Sequence, residues 1–251
     1  MLEERNKRVG NLTGYDCKVC LNKGYTYIEV DDELRTKDCE CLRERKILSN
    51  LKSNGLLNDF NIKTLENFKT TFKWQKTMKN KALEYLKTVN NEWFLICGVT
   101  GSGKTHIATA VSVELIKQGY DYHYTKFSID LPRIAQGLNN FNDDVKVRAE
   151  QELKRLEEVD LLYIDDLLKV NKYTEEVVFQ TLFTLINQRY INNKRTILTT
   201  ERSLNDLINF DEAITGRIIE RAKGFIIDET KGGKENNYRL RSVLKWIKKL
   251  K

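Results

Sequence analysis

The stretch GVTGSGKTH, residues 98–106, places three glycines and a lysine directly after the apolar run WFLIC. Glycines let successive backbone N–H groups curl around phosphate oxygens, because no Cβ blocks the approach. The pattern matches a phosphate-binding loop at every fixed position, with Lys104 for the outer phosphates and the Thr105 hydroxyl for Mg²⁺. The sequence therefore predicts a site for a nucleoside triphosphate. The residues expected to form it are Gly98, Val99, Thr100, Gly101, Ser102, Gly103, Lys104, Thr105 and His106.

A second apolar run, LLYIDDL, ends in paired acids, the first of them 61 residues after Lys104. Asp165, at the end of the predicted strand, is expected to hold Mg²⁺. Asp166 is expected to orient or deprotonate the attacking water. A third buried run, in TILTTERS, also ends in polar residues, where ligands bind in open α/β sheets. Its candidates for sensing the γ-phosphate are Thr199, Thr200 and Glu201, and a plain exit from strand to loop is the alternative.

Four cysteines form a separate group near the N-terminus, as Cys17-x-x-Cys20 and Cys39-x-Cys41 with 18 residues between the pairs. They lie in a charged stretch with no apolar core to bury free thiols, and four thiolates can enclose one tetrahedral Zn²⁺. Thiol redox chemistry is less favoured, because no βαβ pattern surrounds Cys17-x-x-Cys20. The sequence therefore predicts a structural zinc site. The isolated Cys97, His106 and His123 are interpreted as structural side chains.

The elements that must position these residues change character along the chain. A hairpin is predicted between the cysteine pairs, followed by helices over 42–57 and 67–89. From residue 93 onward strands alternate with helices, which predicts an α/β fold with a mostly parallel sheet flanked by helices. We expect a small zinc-binding N-terminal domain over 1–58 and a nucleotide-binding domain over 59–251. The elements predicted in the second domain are strands over 93–98, 121–127, 161–165 and 195–200, a helix over 104–118, more than one helix through 130–158, and a helix over 175–193.

Charge and hydropathy limit the partners. The chain has 43 basic and 36 acidic residues, a net charge of +7 that favours a polyanionic partner. No apolar run approaches the ~20 residues that span a bilayer, and residues 1–10 lack the apolar core of a secretory signal. We therefore expect a cytoplasmic protein that does not contact membranes.

Arginines follow the last predicted strand. Arg217 and Arg221 are four residues apart, so they lie on one face of a helix. Such a pair forms either a solvated basic face or an arginine finger for a neighbouring subunit's phosphate. Arg239 and Arg241, in NNYRLR, are expected on a strand or turn.

Together, GVTGSGKTH, LLYIDDL, ILTTERSL, DEAITGRIIER and NYRLR resemble the DnaC/DnaI-type helicase loaders of bacteria and phages, within the AAA+ ATPases. The resemblance covers about residues 60–241 and, more loosely, the cysteine-bearing N-terminus. It implies that the phosphate-binding loop is Walker A and that the paired acids are Walker B. Glu201 occupies the sensor-1 place, where the family more often has Asn. The resemblance makes Arg221, with Arg217 beside it, the arginine finger, and Arg239 the sensor-2 arginine.

The function implied by this resemblance is that of a slow, Mg²⁺-dependent ATPase, stimulated by assembly. Such a factor binds a DnaB-type replicative hexamer through its N-terminal domain and places the helicase on single-stranded DNA. Self-assembly into a ring or spiral is expected on the helicase, with residues 128–158 in the place of a helix that lines the DNA channel. Two alternatives remain open, the ATPase subunit of a transposition system and a nucleotide-gated adaptor with little turnover.

Overall fold

The chain divides into two compact units, Met1–Asn58 and Asp59–Lys251. The computed structural model describes residues 2–14, 16–31, 33–53, 55, 57–58, 62–169, 176–232, 236–238, 240 and 243. Among these residues, no helix has the length and apolar character that crossing a membrane requires.

The first unit is built around the predicted hairpin. Strands β1 (Tyr25–Val30) and β2 (Glu33–Asp38) pair antiparallel, and helix α1 (Leu2–Asn6) packs against β1. Helix α2 (Cys41–Ser53) begins at the fourth cysteine of the predicted zinc site. The hairpin brings its two ends together, so the cysteine pairs before β1 and after β2 become neighbours.

A five-stranded parallel sheet forms the centre of the second unit, in the order β4-β5-β6-β3-β7. The predicted α/β class is confirmed, as are the four predicted strands. The edge strand β7 has no clear sequence signal, because its short IIDE run is only partly buried and follows a helix closely. The strands are β3 (Phe94–Gly98), β4 (Tyr122–Lys126), β5 (Leu161–Asp165), β6 (Arg195–Thr200) and β7 (Ile226–Glu229).

Helices surround this sheet, as its buried apolar strands require. They are α3 (Lys73–Tyr85), α4 (Lys104–Lys117), α5 (Phe127–Leu138), α6 (Asp143–Glu158), α7 (Glu176–Ile191), α8 (Leu204–Phe210) and α9 (Glu212–Arg221), with a 3₁₀ turn at Thr230–Gly232. The helix predicted over 67–89 begins only at Lys73, because the residues before it lie against the glycine-rich loop.

A buried arginine that no sequence motif indicates joins α7 to the end of α6. The Arg189 guanidinium is fully buried and donates hydrogen bonds to the carbonyl oxygens of Leu156 (2.6 Å) and Val159 (2.9 Å). Its Nε donates to the Thr196 hydroxyl of β6 at 2.9 Å. Carbonyl groups at the end of a helix have no partner within that helix, and Arg189 satisfies those of Leu156 and, at 3.3 Å, Glu157. Arg189 is therefore a structural residue of the α/β unit.

Candidate functional site

The predicted phosphate-binding loop connects β3 to α4, at the carboxyl edge of the sheet. Gly101 and Gly103 adopt φ values of +75° and +93°, which favour glycine. A Cβ on Gly103 would also lie only 2.8 Å from the Phe68 ring. The loop ends at the first residue of α4, where free backbone N–H groups and the helix dipole attract anions. This is the local geometry that a nucleotide phosphate requires.

Lys104 is folded back onto this loop. Its Nζ donates hydrogen bonds to the carbonyl oxygens of Gly98 (2.8 Å) and Val99 (3.1 Å). The residue is only 6% exposed, and this burial lowers the pKa of its ammonium group. The two carbonyl groups hold the ammonium group beside the loop. A phosphate bound in the loop can replace them as its hydrogen-bond acceptor.

Asp165 lies at the centre of a group of hydroxyl donors. Its Oδ1 accepts from the hydroxyls of Tyr163 (2.8 Å) and Thr199 (2.5 Å), and Thr105 Oγ1 lies 3.4 Å away. Its Oδ2 accepts from the Tyr124 hydroxyl at 3.2 Å. The structure therefore brings Thr105 and Asp165 together, as predicted for a magnesium site. Carboxylate and hydroxyl oxygens fit the preference of Mg²⁺ for hard oxygen ligands.

Asp166 lies in a tight turn after β5, with φ of 56°, a conformation uncommon outside glycine. Its backbone N–H donates to the Thr199 hydroxyl at 3.2 Å, which fixes the start of the turn. Its carboxylate forms an ion pair with Lys169 at 3.4 Å. Strained backbone of this kind often occurs at functional sites.

The three candidate sensors separate into two groups. Thr199 and Thr200 are fully buried, and their hydroxyls donate to Asp165 and to the Leu167 carbonyl. These two threonines therefore support the β5 end and do not line the cavity. Glu201 does line it, and its Oε1 accepts from Thr100 Oγ1 at 2.6 Å and from Lys169 Nζ at 3.0 Å. Although burial opposes ionisation, these hydrogen bonds lower the pKa of Glu201, so the carboxylate is charged.

A cavity of about 610 Å³ joins these groups. Its basic side chains beyond Lys104 cannot be identified from the sequence, because isolated lysines outside a motif carry no sequence signal. The segment 236–238 also closes onto the loop, since the Tyr238 N–H donates to the Gly101 carbonyl at 3.0 Å. His106, interpreted as structural, contacts the Thr64 carbonyl at 2.8 Å and also lines the cavity. The lining residues missed from the sequence include Lys63, Phe68, Lys69, Lys126, Lys169 and Tyr238.

The predicted arginine fingers lie away from this cavity. Arg221 donates to the Asn91 carbonyl at 2.9 Å and to the Asn193 side chain, at the amino ends of β3 and β6. The length of β3 separates that edge from the loop by about 16 Å. Arg217 donates to the Asn187 side chain of α7 at 3.0 Å. Neither arginine joins its own chain's site, and Arg239 and Arg241 lie outside the described residues.

The four cysteines of the first unit converge. Their sulfur atoms all lie within 4.8 Å of one another, with 3.4 Å between Cys20 and Cys41 and 3.7 Å between Cys17 and Cys39. Four thiolates around Zn²⁺ at 2.3 Å would be about 3.8 Å apart, so the cluster fits this metal. Near it, Asn22 Oδ1 accepts from the Cys17 N–H at 2.9 Å and holds the turn between the first two cysteines.

Cys97 is separate from this cluster, as expected. It is fully buried within β3, where burial raises the pKa of its thiol to about 12. A thiol that stays protonated at neutral pH is a poor nucleophile and a poor metal ligand. Cys97 is therefore a core residue.

Comparison with known proteins agrees with this geometry. The sequence profile of the IstB-like ATP binding protein family matches residues 23–244. The phage-like element PBSX protein XkdC of Bacillus subtilis (strain 168) is 28% identical over 241 residues, which cover 91% of this chain and 88% of XkdC. A crystal structure of the DnaC helicase loader superposes with a TM-score of 0.58 and 20% identity, covering 68% of this chain and 99% of that one. AMPPCP-bound DnaA from Aquifex aeolicus gives a TM-score of 0.55 and 22% identity, covering 74% of this chain and 55% of that one.

Proposed function

The chain belongs to the IstB-like ATP-binding protein family, and we propose that it is an ATPase that loads a DnaB-type replicative helicase onto single-stranded DNA. Its fold is the AAA+ fold of DnaC and DnaA. The observation that carries the proposal is the assembly of Lys104, Thr105, Asp165 and Asp166 around one cavity in that fold. The likeness to a helicase loader along almost the full length of that structure favours helicase loading as the use of this site.

ATP hydrolysis follows from the chemistry of the cavity. The loop and Lys104 hold the phosphates, because backbone N–H groups and an ammonium are strong donors to phosphate oxygens. Thr105 and Asp165 would hold Mg²⁺, which would supply positive charge to offset that of the phosphates. Asp166 orients the attacking water. Its shorter side chain, where many related ATPases have Glu, makes turnover slow.

Assembly of several chains completes the site in this proposal. Arg221 lies at the edge of the sheet opposite the phosphate-binding loop and binds Asn91 there, so in this proposal it acts on the nucleotide of a neighbouring chain and not on its own. An arginine supplied in trans stabilises the charge that develops on the transferred phosphoryl group. Contacts of this head-to-tail kind generate rings or open spirals. The Arg221 hydrogen bonds to Asn91 and Asn193 must then exchange for phosphate.

The macromolecular contacts are assigned to two regions. The zinc-bearing first unit contacts the helicase, and zinc stabilises its small fold. Single-stranded DNA contacts the α5–α6 segment, where residues 141–148 are all exposed and Phe141 is fully exposed. Exposed aromatic side chains stack on unpaired bases. Lys146 and Arg148 offset the charge of Asp143 and Asp144 in the same segment, so the exposed Phe141 ring carries this assignment.

One experiment separates this proposal from a role in transposition, which the family name favours. The tagged protein is incubated with ATP and either a DnaB-type helicase on single-stranded DNA or duplex DNA alone. Helicase capture that requires the first unit supports loading. Cooperative assembly on duplex DNA without helicase binding supports the transposition role. Helicase capture with no measurable hydrolysis, in the presence of DNA and helicase, identifies the nucleotide-gated adaptor.

A further inference from the structure

Three segments of the α/β unit meet at the Glu201 carboxylate. Glu201 Oε1 accepts from Thr100 of the phosphate-binding loop and from Lys169 of the turn after β5, at 2.6 and 3.0 Å. Lys169 Nζ also lies 3.4 Å from Asp166 Oδ2. One ammonium is thus shared by two carboxylates inside the cavity, beside the residues assigned to Mg²⁺ and water.

The backbone of the turn directs Lys169 toward this position. Asp166 and Leu168 have φ values of 56° and 57°, and left-handed conformations at two non-glycine residues are costly. The turn is closed by a hydrogen bond from the Lys169 N–H to the Asp166 carbonyl at 2.9 Å. Such a conformation persists only where its surroundings impose it. The turn therefore places Lys169 at the carboxylate end of the cavity.

A terminal phosphate competes well for this ammonium. The Lys169 side chain is 47% exposed, so it can change partners without unfolding the turn. A γ-phosphate brings more negative charge than a carboxylate and three acceptor oxygens. The loop N–H groups hold the inner phosphates, which leaves the γ-phosphate beside Asp165 and Asp166.

We propose that Lys169 is a specificity-determining residue that contacts the γ-phosphate and discriminates ATP from ADP, while Glu201 competes with the nucleotide for the same ammonium. This inference rests on the proposed nucleotide-binding function. With ATP bound, Lys169 leaves its carboxylate partners for the phosphate, and Asp166 loses its cation. With ADP bound, the Lys169–Glu201 ion pair remains.

The two side chains should therefore have opposite effects on ATP binding. Lys169→Met removes a charge-assisted contact and should weaken binding of the triphosphate about fivefold. This loss of affinity lies between that expected for an exposed ion pair and that expected for a buried hydrogen bond to a charged group. Glu201→Gln keeps an acceptor for Thr100 and Lys169 but removes the negative charge. It should therefore strengthen triphosphate binding by a similar factor. Neither change should alter ADP binding.

Titration calorimetry of the full chain with AMPPNP and with ADP, both with Mg²⁺, tests this inference. Lys194→Met is the matched control, because Lys194 pairs with Asp160 at 3.1 Å at the opposite edge of the sheet. Lys194→Met should keep the wild-type ratio of AMPPNP affinity to ADP affinity. Lys169→Arg, which keeps the positive charge, should retain most of the preference for AMPPNP.

The outcomes are distinct. An equal loss for both nucleotides in Lys169→Met, or weaker AMPPNP binding in Glu201→Gln, would overturn the role of Lys169 while leaving the ATPase proposal intact. Wild-type protein that binds neither nucleotide would overturn the ATPase proposal itself, and this inference with it. Thermal melts of each variant show whether the fold is retained.

Discussion

Replacing Thr199 with valine should uncouple Asp165 from its support at nearly constant side-chain volume. Thr199 is fully buried, its hydroxyl donates to Asp165 Oδ1 at 2.5 Å, and it accepts from the Asp166 N–H at 3.2 Å. Valine removes these two hydrogen bonds and a longer one with the Tyr163 hydroxyl at 3.5 Å, and it leaves a backbone N–H without this acceptor. An unsatisfied buried donor costs about 1–3 kcal/mol, and a hydrogen bond to a charged group contributes about 1.5–3 kcal/mol.

Thr199→Val should accordingly lower the free energy of unfolding by about 3 kcal/mol, which corresponds to about 6–12 °C in Tm for a unit of this size. It should also raise the Mg²⁺ concentration needed for half-maximal hydrolysis, because Asp165 is less firmly oriented. The assays are a thermal melt and ATPase rates over a Mg²⁺ series, both with the full chain.

Thr200→Val is the matched control for this substitution. Thr200 is adjacent and equally buried, and it makes two hydrogen bonds, to the Leu167 carbonyl and from the Arg202 N–H, but none to Asp165. This variant should lose stability with an unchanged Mg²⁺ requirement. If Thr200→Val raised the Mg²⁺ requirement as much as Thr199→Val, the assignment of Thr199 as the support of Asp165 would be refuted.

Metal analysis should find about one Zn²⁺ per chain. Cys39→Ser should lose this metal and unfold the first unit, since metal binding and folding are coupled in small modules. A folded, metal-free wild type would exclude the zinc site. Lys104→Ala should weaken ATP binding about tenfold or more, whereas Asp166→Asn should retain ATP binding and lose most of the hydrolysis. Wild-type turnover in Asp166→Asn would reject the role of Asp166. A mixture of Arg221→Ala and Lys104→Ala should regain ATPase activity that neither variant has alone. If no mixing ratio restores ATPase activity while both variants still assemble, Arg221 does not act on a neighbouring chain's nucleotide.

The motif residues of the site could be predicted because their spacing is local. The phosphate-binding loop must follow a buried strand and begin a helix, so its glycines, Lys104 and Thr105 are recognisable within eight residues. Asp165 is recognisable because an apolar run ends at it. The hairpin and the four cysteines follow the same logic, since two short pairs flank one alternating segment.

The remaining parts of the site depend on contacts between distant segments. Lys169 reaches the cavity only because two left-handed residues reverse the chain after β5. Phe68 and Tyr238 come from opposite ends of the unit to cover the glycine loop. Strand β7 owes its place to pairing with β3, and its four residues have no periodicity of their own. No local sequence pattern predicts these contacts between distant segments, so they are seen only in the folded chain.

Helicase loading onto closed circular single-stranded DNA tests the central claim most directly. The replicative helicase of the source organism is mixed with the circle, this protein and ATP, and DNA-bound hexamers are counted after free protein is removed. We predict that bound hexamers increase with this protein and ATP, and that Lys104→Ala abolishes the increase. Equal numbers of bound hexamers with and without the protein, under conditions in which it hydrolyses ATP, would contradict the claim.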